Sequence, residues 1–137
     1  MKKSLLNKLI DISHNIYSDY EYKRLKMVCF SVYKGKLISF GVNSSKTDPM
    51  QHKFRKHTYK RNIEMLDMVH AEVACIKHLP IGFDDYKHLE LLIYSETKNG
   101  TMRLAKPCDT CMNAIQYLGI KEIYYSTNEN YIKKEII

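Results

Sequence analysis

Two short runs in this 137-residue sequence hold side chains able to grip a metal ion and move protons: His70-Ala71-Glu72 and Pro107-Cys108-Asp109-Thr110-Cys111. A catalytic zinc site takes three protein ligands and keeps the fourth position for water. His70, Cys108 and Cys111 supply one imidazole and two sulfurs. The two cysteines stand three apart at an expected helix start, so both sulfurs can reach one ion. The helix N-terminus also favours thiolate over thiol. Two thiolates cancel the charge of Zn²⁺, which lets such a site be partly buried. Glu72 follows His70 by two positions and points elsewhere. It is therefore not needed as a ligand and can act as the acid/base group over the open position. Zinc lowers the pKa of water to roughly 7, so a nucleophile is available near neutral pH.

A lone Cys-x-x-Cys also fits a redox pair or half of a zinc ribbon. The sequence has no second one, which removes the four-Cys ribbon. A redox pair has no use for an upstream His-x-Glu. The remaining cysteines, Cys29 and Cys75, fall on an expected strand and helix and read as small buried hydrophobes.

The elements that must position these groups follow from periodicity. Leu5, Leu6, Leu9, Ile12 and Ile16 are spaced as one face of a helix. Residues 27–33 and 37–42 are rich in strand formers and are joined by Lys34-Gly35, which predicts a hairpin. Asn62 is an expected N-cap, and Ile63, Leu66, Val69, Val73, Ile76 and Leu79 continue at helical spacing to Pro80. Residues 89–94 form a third strand. Asn99-Gly100 turns it back through Met102 to Ala105. A third helix follows Cys108 and stops at Gly119. Residues 120–125 form a fourth strand, and residues 131–137 are a candidate fifth. Only about four residues separate those two, too few for a parallel crossover, so the fifth is antiparallel or absent. The order α-β-β-α-β-α-β-(β) predicts an α/β fold with one mixed sheet between helices.

With its order and spacing, H-A-E followed by P-C-x-x-C resembles the zinc-dependent cytidine and deoxycytidylate deaminase superfamily, a signature known for nucleobase deaminases. The order of elements matches over most of the chain. The Asn-Gly hairpin and Ala105-Lys106-Pro107-Cys108 resemble small viral or phage members. The resemblance implies a three-layer α-β-α fold with about five strands in the order 2-1-3-4-5. It implies Zn²⁺ as cofactor, with His70, Cys108 and Cys111 as ligands. Glu72 would carry the water proton to the base and assist departure of ammonia. It also implies that Asn43, in Gly41-Val42-Asn43, bonds the sugar or base, and that the Ala71 N–H meets the base carbonyl. Tyr124 is taken as the residue that packs on the base, with Tyr125 the alternative in the other register. A homo-oligomer is expected on the same ground.

Composition bounds the rest. Apolar residues are 45% and charged residues 27%, the mixture of an ordinary folded domain, and the length fits one domain over residues 1–137. No run of about 18 apolar residues occurs, and the N-terminus lacks the features of a secretory signal, so no membrane association is expected. The expected setting is the cytoplasm, that of the host for a viral protein. The net charge of +7 is uneven: residues 46–61 hold six Lys or Arg against one Asp. Lys46, Lys53 and Arg55, with Lys56, Lys60 and Arg61, are candidate phosphate contacts, the alternative being a solvated loop. The leading substrate is a free cytosine nucleotide or nucleoside, dCMP first. Alternatives are a cytosine or adenine base in single-stranded DNA, RNA or tRNA, and a non-catalytic zinc module.

Overall fold

The computed structural model describes residues 1–19, 27–43, 70–97 and 99–137, and of residues 16–19 the backbone alone. Helix α1 (Lys3–Asp19) is followed by strands β1 (Met27–Tyr33) and β2 (Lys36–Val42) and helix α2 (Ala71–Lys77). Strands β3 (Leu89–Glu96) and β4 (Met102–Arg103) precede helix α3 (Asp109–Leu118). Strands β5 (Glu122–Ser126) and β6 (Ile132–Ile136) complete the chain.

The strands form one sheet in the order β2-β1-β3-β5-β6, with β4 paired to β3. Apart from that short β4, this is the expected five-strand order. Lys34 and Gly35 both take positive φ, 51° and 78°, the turn whose twist suits a two-residue hairpin. β3 and β5 are parallel, with α3 in the crossover. β6 is present and antiparallel to β5, as the short turn between them requires.

Side-chain alternation splits the core into two layers. Val28, Phe30 and Val32 of β1, Leu92 and Tyr94 of β3, and Tyr124 of β5 pack with Leu9 of α1. Cys29, Leu91, Ile93, Ile123 and Tyr125 face the other way, against Ala71 and Cys75 of α2 and Ile115 of α3. β1 and β3 are buried on both faces, which is why they read as nearly unbroken apolar runs. Each Leu, Ile or Phe so buried contributes about 1.5–3 kcal/mol.

α3 ends as expected. Gly119 is left-handed (φ 88°), and the Ile120 N–H returns to the Ile115 carbonyl at 3.1 Å. The start of α2 differs from the expected Asn62 cap, which lies outside the described residues along with 63–69. The helix that carries Glu72 begins at Ala71. His70 is its N-cap, in an extended conformation (φ −82°, ψ 153°), and its carbonyl accepts the Ala74 N–H at 3.0 Å. Apolar spacing alone does not register that start, because Val69 and Val73 stand at helical spacing in the sequence on either side of His70.

Candidate active site

The site lies where the N-termini of α2 and α3 meet. α3 brings both sulfurs: Cys108 is its N-cap and Cys111 sits in its first turn. The approach to Cys108 is pinned to the end of β5, since the Ala105 N–H bonds the Ser126 carbonyl at 3.0 Å. The Ser126 hydroxyl donates to the Arg103 carbonyl at 2.6 Å. α2 brings the imidazole. His70 Nδ1 stands 3.2 Å from Cys111 Sγ and 3.3 Å from Cys108 Sγ. All three ligand atoms lie within 4.8 Å of one another.

The electrostatics divide the two thiols. A hydrogen bond from Cys111 lowers the Cys108 thiol to about 4, with help from His70. As the donor in that bond, and fully buried, Cys111 is pushed well above its ordinary value. At neutral pH the pair thus holds one thiolate and one thiol. Glu72 is 3% exposed, and burial pushes its carboxyl up to about 7. Among the described residues its Oε1 is buried with no hydrogen-bond partner. A buried carboxylate oxygen without a partner is costly and needs a reason.

The model of the cytidine and deoxycytidylate deaminase zinc-binding region matches residues 3–127. The chain belongs to this family. Its fold is similar to that of dCMP deaminase from the cyanophage S-TIM5. Against the crystal structure in complex with dCMP and dUMP the TM-score is 0.58 at 18% identity, covering 91% of this chain and 82% of that one. Against the apo form it is 0.60 at 18% identity, covering 91% and 84%. At such identity the likeness is one of fold. A search of curated proteins found no match.

The deaminase is a zinc-dependent hydrolase, and its donor set fits that ion. In a tetrahedral zinc site the imidazole nitrogen and a thiolate sulfur are roughly 3.6 Å apart, from bond lengths of about 2.0 and 2.3 Å. The observed separations are close to this. One imidazole and two soft sulfurs suit zinc, and three ligands leave a position open. His70, Cys108 and Cys111 would hold it, and Glu72, whose carboxyl is influenced by all three, would be the proton-carrying group beside it.

The other expected residues divide. Ala71 is buried as the first residue of α2, where backbone N–H groups have no intrahelical acceptor. Asn43 is buried at the end of β2, and its Oδ1 accepts the Met27 N–H at 2.9 Å. Its carbonyl end is thus held by the β1 backbone. Tyr124 requires correction. It packs in the α1 layer, whereas α2 and the site belong to the opposite layer. Tyr125 is on the site's side of the sheet, buried against the layer that holds Ala71. Neighbouring strand residues face opposite ways, so one step of register decides which tyrosine serves. Lys46, Lys53 and Arg55 lie outside the described residues. Cys29 and Cys75 are buried, as expected. Among the described residues no helix is long and apolar enough to cross a membrane.

Sequence reasoning missed Ser39 and the packing role of Gly41. The Ser39 hydroxyl donates to the Cys75 carbonyl of α2 at 2.9 Å. A Cβ on Gly41 would stand 2.3 Å from the Cys75 nitrogen. The only available signal was the Gly at the head of Gly41-Val42-Asn43, which marks a close backbone approach.

Proposed function

We propose that this deaminase hydrolyses the 4-amino group of cytosine in a free nucleotide, with dCMP converted to dUMP and ammonia. The observation that carries the reading is the buried Glu72 carboxyl, one oxygen of which has no hydrogen-bond partner among the described residues, beside the His70–Cys108–Cys111 group. The family and the fold shared with a phage dCMP deaminase support the choice of substrate.

Zinc, when bound, lowers the pKa of water to roughly 7 and so makes a nucleophile available at neutral pH. Glu72 takes the proton that this water loses and passes it to the ring nitrogen beside C4. It then assists the departing amine, so water and cytosine give uracil and ammonia in balance. In the metal-free protein burial pushes this carboxyl up to about 7, and a group that exchanges its proton near neutral pH can both accept and donate. The Ala71 N–H holds the base carbonyl, and the Asn43 amide bonds the sugar. Lys46, Lys53 and Arg55 meet the phosphate.

Ammonia release from dCMP, CMP, deoxycytidine and cytidine at fixed salt tests this. The expected result is the highest kcat/KM on dCMP and a large loss on removal of the phosphate. Turnover of cytosine or adenine only within oligonucleotides, with affinity falling steeply with salt, would replace the free nucleotide by a polynucleotide substrate.

A further inference from the structure

The zinc ligands come from two helices that barely touch one another. α2, which carries His70, leans on β2 and β1 and makes few contacts with α3, which carries both cysteines. The meeting of imidazole and sulfurs is therefore set through the sheet, by how α2 sits on β2. Two β2 residues define that seat. Gly41 admits the α2 backbone so closely that an added Cβ would be 2.3 Å from the Cys75 nitrogen and 2.7 Å from the Ala74 carbonyl carbon. Real Cβ atoms essentially never approach other atoms to under 3.0 Å, and the obstacle here is backbone. Ser39, on the same face of β2, donates to the Cys75 carbonyl at 2.9 Å. Its hydroxyl also bonds that of Ser31, its register partner on β1. Ser31, Ser39 and Cys75 thus link β1, β2 and α2 through buried groups.

We infer that Ser39 and Gly41 are positioning residues for the metal centre: Gly41 sets how deeply α2 sits on the sheet, and Ser39 sets its position along it. His70 stands at the N-cap, five residues before Cys75, and moves with α2 as a body. A methyl at Gly41 must push α2 outward by about 1 Å to restore ordinary contact, and the imidazole then leaves the two sulfurs. The inference rests on the zinc site and not on the choice of nucleotide.

The test uses zinc-loaded protein and requires no substrate. Zinc retention is measured against a competing chelator for wild type, Gly41→Ala and Ser39→Ala. The visible spectrum of each Co²⁺-substituted protein is recorded beside it. Leu92→Val, in the α1 layer, serves as a variant that lowers Tm without touching the seat. Both seat variants are expected to lose zinc at chelator concentrations on the order of tenfold lower, with altered Co²⁺ bands. Leu92→Val is expected to retain the wild-type affinity and spectrum. Should Gly41→Ala not fold, Ser39→Ala carries the test, because it removes one hydroxyl and leaves shape intact. Folded Ser39→Ala with wild-type zinc retention and wild-type Co²⁺ bands would overturn the inference. Wild-type protein that takes up no zinc would overturn the metal assignment itself, a separate outcome.

Discussion

Replacing Glu72 by Gln should stabilise the metal-free protein at pH 8 while abolishing catalysis. The folded carboxyl has its pKa at about 7, against an ordinary value of 4.5, and the cause is burial. Between those values the folded state holds the proton more tightly than the unfolded state. Stability therefore falls as pH rises through that window and is flat on either side. Two and a half units at about 1.4 kcal/mol each give a penalty of about 3 kcal/mol, complete above pH 7. Gln has the same shape and no charge to lose, so the variant escapes it. Urea unfolding in the presence of a chelator gives the two free energies at pH 4.5 and pH 8. The variant and the wild type should be nearly equal at pH 4.5, with the variant ahead by about 3 kcal/mol at pH 8. Saturating zinc should shrink the difference, because a nearby cation favours the carboxylate. Equal stabilities at both pH values would refute the claim that Glu72 is held at a cost to the fold.

Two further outcomes follow from the site. Zinc binding at pH 8.5 should release two protons per ion, that of Cys111 and that of the water whose pKa zinc brings to roughly 7. Cys108, at about 4, and Glu72, at about 7, are already ionised there, while Cys111 lies well above its ordinary value. Calorimetry in buffers of different ionisation enthalpy counts the protons, and a count of three or of one would show that the thiols do not share one proton. Tyr124→Leu should lower stability by about 1–3 kcal/mol, since the side chain is 6% exposed in the α1 layer. Its KM should stay within about twofold of wild type in steady-state kinetics, and a rise of tenfold or more would return Tyr124 to the pocket.

The metal centre was legible because its signal is local. Cys-x-x-Cys at a helix start and His-x-Glu upstream state their chemistry without reference to distant contacts. The sheet order was legible for a related reason: hairpin turns and one helix-length crossover leave few ways to connect five strands. The start of α2 was not legible, since His70 is extended while the apolar period of the sequence runs on past it. Nor was the choice between Tyr124 and Tyr125, which turns on a single step of register that strand composition leaves open. Ser39 is an ordinary polar residue in sequence, and its bond to the Cys75 carbonyl exists only once α2 lies on β2.

The most direct measurement of the central claim is ammonia and dUMP production from dCMP, made in parallel on zinc-loaded wild type and on Glu72→Gln shown to hold one zinc per chain. The wild type should release the two products in equal amounts, stop on chelation and recover with added zinc, while the variant stays silent. Zinc bound at one per chain with no product from dCMP, CMP, deoxycytidine or cytidine, or undiminished turnover in the variant, would contradict it.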